Sequence, residues 1–377
     1  MAGDTDRSLP DTQHMQAALA LARRGLGNVW PNPAVGCVLV QPGPKGGRIV
    51  GRGWTQPGGR PHAETEALAR AGAASRGAVA YVSLEPCSHH AVTPPCAEAL
   101  VAAGIGRAVI AVEDPDPRVS GRGVAALRAA GIPTNVGLMA EAAAALNAGF
   151  FLRVREGRPF VTLKLATTLD GRIATASGES RWITGEAARD WAHGLRASHD
   201  AVMIGIGTAL VDDPELICRL PGLPLRPTLR IVVDSAVRLP LSSRLVESVD
   251  RAPLWVVAAA EADVGRREAL AARGVEIIGV ATDPRGRPDI GATLKALGAR
   301  GVTRVLVEGG GGLAGSLLGA GLVDEVAWFH APRVIGDGGR PAVAAFGVDR
   351  LAQAPTFVRT ALRALAADVL ETYRRGN

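Results

Sequence analysis

Residues 61–96 read PHAETEALARAGAASRGAVAYVSLEPCSHHAVTPPC, and they contain His62, Glu64, Cys87 and Cys96. One imidazole, one carboxylate and two thiols form the donor set of a hydrolytic zinc site. Three ligands hold the ion, the fourth position is left to water, and the carboxylate moves protons without binding metal. Residues 62–73 read as a helix, 79–84 as a strand and 96–103 as a helix. His62 and Glu64 stand two apart at a helix start, so their side chains diverge, one toward metal and the other toward the water beside it. Cys87 and Cys96 each follow a proline and are expected at helix N-termini, where free amides and the helix dipole lower a thiol pKa.

The alternation continues outward. Upstream, a helix from Asp11 through Gly25 is expected, then two strands at 35–40 and 48–54 joined by a Pro/Gly-rich turn. Downstream come a strand at 107–112, a helix at 123–130, a strand at 133–137 and a helix at 141–151. Helices covering a mixed sheet give a three-layer α/β domain. The charged run 153–158 and Pro159 mark a boundary. A second alternation starts at Phe160, with strands at 160–166, 201–205, 229–234, 254–258, 275–279, 304–307 and 325–330. Its helices are at 186–197, 290–299 and 313–320. This predicts a second α/β domain with a mostly parallel sheet. Two domains, 1–155 and 159–377, suit a chain of 377 residues.

Bulk properties narrow the function. The net charge of +6 comes from 42 basic and 36 acidic residues, and only 4% of residues are aromatic. The basic residues form no block, so no nucleic-acid partner is expected. No stretch is apolar enough to span a membrane, and the N-terminus has no secretory pattern, so a cytoplasmic location is expected. Cys37 reads as a core thiol and Cys218 as an isolated one, so no disulfide framework is expected.

Eight residues, Ser88 to Pro95, separate the two cysteines, where common deaminases have two. The stretches Pro31-Asn32-Pro33-Ala34-Val35-Gly36-Cys37-Val38 and Leu84-Glu85-Pro86-Cys87-Ser88-His89-His90 accompany the spacer. So do Thr93-Pro94-Pro95-Cys96, Asp114-Pro115 and Gly121-Arg122-Gly123. With these, the chain resembles the bifunctional deaminase/reductase family of riboflavin biosynthesis. The resemblance implies a cytidine-deaminase-like N-terminal domain, zinc on His62, Cys87 and Cys96, and Glu64 as general acid/base. It also implies that Asn32 touches the pyrimidine; the plainer reading is a turn residue between two prolines. The family has a glycine and a basic residue before Thr-Pro-Pro-Cys, where this chain has Ala91 and Val92. His89 and His90 are nearby candidates to hold a substrate phosphate instead.

The second half carries Leu163-Lys164-Leu165-Ala166, Ser180-Arg181-Trp182 and Glu308-Gly309-Gly310-Gly311-Gly312-Leu313-Ala314-Gly315-Ser316. A glycine run between strand and helix lets backbone amides approach a phosphate, although it also reads as a flexible turn. A Rossmann site is disfavoured, because the next strand ends without an acidic residue. The resemblance extends over this half and implies a dihydrofolate-reductase-like domain using NADPH. It assigns Ala166, Trp182, Thr208, Asp212, Ser235 and Gly310, Gly311, Gly312, Leu313, Ala314, Gly315 and Ser316 to the cofactor. It assigns Ser180, Arg196, Leu216, Arg219 and Glu308 to the substrate. Arg196 and Arg219 suit phosphate because guanidinium pairs with it bidentately.

The implied function is zinc-dependent deamination of a phosphoribosylaminopyrimidine, then reduction of its ribosyl group to a ribityl chain. A homo-oligomer is the expected assembly, and no side chain stands out as proton donor for the reduction. Two rivals remain: a nucleic-acid base deaminase, which would need basic and aromatic clusters, and a binding protein with structural zinc, which would need a fourth protein ligand.

Overall fold

The computed structural model describes residues 5–89, 94–222 and 227–376. They form two compact units that divide between Glu156 and Gly157.

The first unit has strands β1 (Gly36–Gln41), β2 (Arg48–Trp54), β3 (Val79–Val82), β4 (Arg107–Ile110) and β5 (Thr134–Val136), in the order β2-β1-β3-β4-β5. The β1 strand runs antiparallel to β2 and β3, while β3, β4 and β5 are parallel. Its helices are α1 (Thr5–Ala22), α2 (Ala63–Ala71), α3 (Cys96–Ala102), α4 (Arg122–Ala129), α5 (Ala140–Leu146) and α6 (Ala148–Glu156). Strand side chains alternate between the two faces. Cys37, Leu39, Ala80, Val82 and Ile110 pack with Ala63, Ala67, Leu100, Val124 and Leu127 from α2, α3 and α4. Val38, Val40, Tyr81 and Val109 pack with Met15, Ala18, Leu19 and Leu146 from α1 and α5. The three layers are therefore present.

Two glycines set how closely the layers approach. A Cβ on Gly53 of β2 would collide with the Ala63 carbonyl oxygen, and one on Gly123 of α4 would collide with the Pro86 carbonyl oxygen. Their bare Cα atoms let α2 lie flat on the sheet and let the loop carrying Cys87 settle on α4.

Several expectations need correction. The first helix begins by Thr5, upstream of Asp11, and ends in a 3-10 turn at Arg23–Gly25. The helix expected at 141–151 is two helices, because Asn147 interrupts it. Its side-chain amide accepts from Ala34 N (2.9 Å) and donates to Ala34 O (3.0 Å), which ties the chain after Pro33 to the break. The charged run from Arg153 is helical through Glu156. Cys87 lies in irregular backbone after β3 and starts no helix; Cys96 does start α3.

The second unit contains β6 (Phe160–Thr168), β7 (Arg172–Ala174), β8 (Ala201–Gly205), β9 (Leu229–Val233), β10 (Leu254–Ala259), β11 (Glu276–Val280), β12 (Arg304–Val307) and β13 (Glu325–Ala331). The short β14 (Arg340–Pro341) pairs with β7, and β15 (Phe357–Leu365) and β16 (Asp368–Arg375) form a hairpin. Helices are α7 (Glu186–Ala197), α8 (Ile206–Asp212), α9 (Arg244–Glu247), α10 (Val264–Ala271), α11 (Ile290–Ala299) and α12 (Gly311–Gly319). The nine-stranded sheet runs β11-β10-β9-β8-β12-β6-β13-β16-β15, parallel up to β13 and antiparallel beyond. Strands β8, β9 and β10 are buried on both faces, as parallel strands between helices are, and apolar except for Arg230 of β9. The β15–β16 hairpin escaped sequence reading: seven of the nine residues of β15 are exposed, so the strand carries no core signature.

Chain order positions the second site. From β8 the chain steps outward through β9 and β10 to β11, then returns to insert β12 beside β8. The connections leaving β8 and β12 therefore diverge, and an open crevice forms at their carboxyl ends, where α/β sheets bind ligands.

Candidate functional site

In the first unit, His62 occupies the N-cap of α2 in extended conformation, and its ring leaves the helix toward the start of α3. His62 Nδ1 lies 3.3 Å from Cys96 Sγ and 3.6 Å from Cys87 Sγ, and the three atoms all fall within 4.8 Å of one another. Tetrahedral zinc with bonds of about 2.0–2.3 Å sets neighbouring ligand atoms about 3.5–3.8 Å apart. The donor set and its spacing thus fit a zinc ion. The Cys96 amide donates to Cys87 Sγ at 3.3 Å, which supports negative charge on that sulfur. Hydrogen bonding from Cys96, helped by His62, holds the Cys87 thiol down to about 4. The hydrogen bond to Cys87 and burial push Cys96 the other way, and binding of a cation would favour loss of its proton.

Glu64, two residues after His62 in the first turn of α2, is buried at 3% exposure. Burial first, then the Cys87 charge, pushes its carboxyl up to about 7. It shares a cleft of about 260 Å³ with His62, Cys87, Asn32 and His89. Asn32 donates to Gly59 O at 3.3 Å, so it serves the turn and also faces the cleft. His90, Ala91 and Val92 lie outside the described residues.

Sequence reading missed part of this wall. Phe150 and Arg153 of α6, together with Asp114, Asp116 and Arg118, also line the cleft. Asp114 Oδ1 accepts from Asp116 N and Asp116 Oδ1 from Arg118 N, two successive turns that the Asp-Pro-Asp-Pro repeat could have signalled. Glu85 is buried and accepts from the amides of Asp114, Gly121 and Val124, so it fixes this loop and the start of α4.

The second unit holds a larger cavity of about 590 Å³ at the crevice. Ala166, Ser180, Trp182, Arg196, Thr208, Asp212, Leu216, Arg219 and Glu308 all line it. Ser235 and the glycine run lie outside that wall. Gly310 is nevertheless tied to it, because its amide donates to Thr208 Oγ1 at 3.1 Å. Ala314 and Gly315 are buried within the packing of α12.

Arg196 faces inward as expected, but its fork is engaged: Nε and Nη2 donate to the two oxygens of Glu308 at 2.6 and 2.8 Å. Burial opposes charge on Glu308, yet the Arg196 guanidinium and the Lys164 ammonium outweigh it and hold the carboxyl down to about 2. Lys164 projects from β6 into the cavity, where desolvation lowers its own pKa. At the rim, Arg189 stacks 4.6 Å over the exposed Trp182 ring. Arg181 donates to the Asp212 carbonyl there. Lys164, Arg189 and His193 received no role from the sequence.

Comparison with known proteins covers both units. Residues 9–112 match the model for the cytidine and deoxycytidylate deaminase zinc-binding region, and residues 159–369 match the RibD C-terminal domain. The chain is 41% identical over 372 residues to riboflavin biosynthesis protein RibD of Escherichia coli K12, covering 96% of this chain and 98% of that protein. It is 42% identical over 323 residues to the RibD of Bacillus amyloliquefaciens, covering 86% and 85%. Among solved structures, Acinetobacter baumannii RibD, form 1, superposes with a TM-score of 0.87 at 36% identity, covering 98% and 100% of the two chains. A Thermotoga maritima diaminohydroxyphosphoribosylaminopyrimidine deaminase/5-amino-6-(5-phosphoribosylamino)uracil reductase gives 0.84 at 33% identity, covering 98% and 99%.

Proposed function

The chain belongs to the RibD family of bifunctional riboflavin biosynthesis enzymes, and from that premise we propose how its two halves divide the chemistry. Residues 1–155 carry the deaminase and 159–377 the reductase. The observation that carries the reading is the convergence of His62, Cys87 and Cys96 on one point, with buried Glu64 in the same cleft.

The deaminase substrate is 2,5-diamino-6-(5-phosphoribosylamino)pyrimidin-4(3H)-one. His62, Cys87 and Cys96 would hold zinc, which when bound would supply the Lewis acidity that makes water a nucleophile near neutral pH. Glu64 takes the proton of that water and delivers it to the departing amino group, which leaves as ammonia while the ring carbon keeps the oxygen. Burial tunes Glu64 for this shuttle, since a pKa of about 7 lets it accept and donate at working pH. Asn32, which lines the same cleft, orients the pyrimidine.

The reductase half turns the ribosyl group into a ribityl chain, with NADPH supplying the reducing equivalents. Ala166, Trp182, Thr208, Asp212, Ser235 and the segment Gly310–Ser316 accommodate the cofactor. Ser180, Arg196, Leu216, Arg219 and Glu308 accommodate the substrate. The Arg196–Glu308 pair gives Arg196 an orienting part, because the fork is spent on the carboxylate.

A cytoplasmic location is part of this reading; no helix among the described residues is long and apolar enough to cross a membrane. A homo-oligomer belongs to the same reading, supported by the exposed strand β15 at the end of its sheet.

The test is to incubate the pure protein with the diaminopyrimidine, with and without NADPH, and follow products by mass. Without cofactor the deaminated ribosyl compound accumulates; with it the ribityl compound forms. Glu64→Gln lowers ammonia release by about 10²–10⁴-fold while metal content, read by elemental analysis, is retained. Normal turnover by this variant rejects the proton shuttle.

A further inference from the structure

Once Arg196 is committed to Glu308, the reductase cavity still needs a donor set for the substrate's phosphate. His193 lies on α7 one turn before Arg196 and lines the same cavity. Its Nδ1 faces the Arg219 amide at 3.3 Å. An amide N–H can only donate, so Nδ1 is the acceptor and the neutral ring carries its proton on Nε2. No partner for Nε2 occurs among the described residues. Arg219 contributes positive charge on the same wall. Arg219, Arg244 and Arg251 all pair with the one carboxylate of Glu215, at 3.3, 3.4 and 2.8 Å, and three guanidiniums exceed what one carboxylate neutralises. Arg219 and Arg244 both line the cavity.

We propose that His193 is a further substrate-binding residue of the reductase, donating its Nε2–H to the phosphate that Arg219 attracts. The inference rests on the reductase reading above and names a contact within it. Burial, Arg196 and Arg219 together lower the pKa of the ring. The ring therefore stays neutral in the empty cavity and keeps its hold on the Arg219 amide. That hydrogen bond does double duty: it fixes the tautomer and sets the loop from which Arg219 projects. The Cys218 thiol fastens the same loop by donating to the His193 carbonyl at 3.2 Å.

The test separates the two ring nitrogens. In the full chain, His193→Ala raises KM for the phosphorylated reductase substrate by about tenfold, the effect of one hydrogen bond to a charged group. It leaves kcat and the KM for the dephosphorylated substrate within about twofold. His193→Gln, whose amide reaches the Nε2 position, recovers most of the loss. His193→Asn, whose amide mimics Nδ1, does not. Calorimetric titration with inorganic phosphate needs no turnover and weakens in parallel. It reports on the site even if the chain fails to reduce the substrate, an outcome that would reject the reductase reading instead. Rescue by Asn with equal loss on both substrates reduces His193 to a loop clamp and overturns the proposal. So does a rise confined to the KM for NADPH, which would place the contact on the cofactor's phosphate. Unchanged binding of both substrate and inorganic phosphate in His193→Ala overturns it as well.

Discussion

The two cavities solve the problem of holding charge in opposite ways. The cleft of the first unit gathers three soft or borderline donors around one point and leaves a neutral-leaning carboxyl, Glu64, at their side. Arg60, Arg118 and Arg153 also line this cleft, but none of them is among the groups that set the Glu64 carboxyl. The cavity of the second unit supplies its own cations, Lys164, Arg196 and Arg219, and holds Glu308 firmly ionised among them. A site that shuttles protons needs a carboxyl able to hold one near neutrality. A site that binds an anionic substrate and cofactor needs fixed charges that do not titrate. Burial is common to both. The number of cations packed beside the carboxyl decides whether its pKa rises or falls.

Metal removal breaks the comparison most sharply. Dialysis against a chelator abolishes ammonia release and leaves NADPH oxidation with the deaminated substrate unchanged. Loss of both activities would mean that the metal supports both units. Restoring zinc recovers the deaminase, checked by elemental analysis alongside rate.

The acid response is the next largest effect. Glu308 is held at about 2 in the folded state against an ordinary 4.5, so it stabilises the fold above pH 4.5. That stabilisation, about 3 kcal/mol, is lost as pH falls from 4.5 toward 2. Hydrogen exchange of β12 peptides is expected to show opening over this window. In Glu308→Gln the strand opens already at neutral pH, because Arg196 loses its partner, and the dependence on acid flattens. An unchanged acid profile in the variant would remove Glu308 from the account.

The smallest effect is steric and confined to one cleft. Gly53→Ala places a methyl group against the Ala63 carbonyl and costs about 1–3 kcal/mol, read as a lower unfolding midpoint. Because α2 carries His62 and Glu64, zinc affinity and ammonia release fall as well, while the reductase rate holds. A reductase that fell equally would show that the sites are less separate than their construction suggests.

Particular residues show how much was legible. His62, Cys87 and Cys96 could be read because thiols and imidazoles are few, and their order and spacing carry chemistry without any fold. The strands at 201–205 and 304–307 and the helices at 186–197 and 290–299 have the bounds the sequence indicated. The apolar runs of the strands and the periodic apolar faces of the helices reflect burial that each segment signals by itself. The helix-initiating position assigned to Cys87 did not hold, because a proline before a cysteine marks a loop as readily as a helix start. The outer wall of the first cleft was invisible, since Phe150 and Arg153 arrive on a helix whose placement depends on Asn147 grasping Ala34, 113 residues away.

The sequence by itself determined the donor types, the layer pattern and the family, because these depend on residue identity and short-range spacing. Tertiary structure alone decided which charge meets which. Arg196 and Glu308 are 112 residues apart, and only the return of β12 beside β8 brings them together. That closure pairs a residue expected to grip phosphate with a carboxylate, and leaves His193, silent in the sequence, facing the cavity.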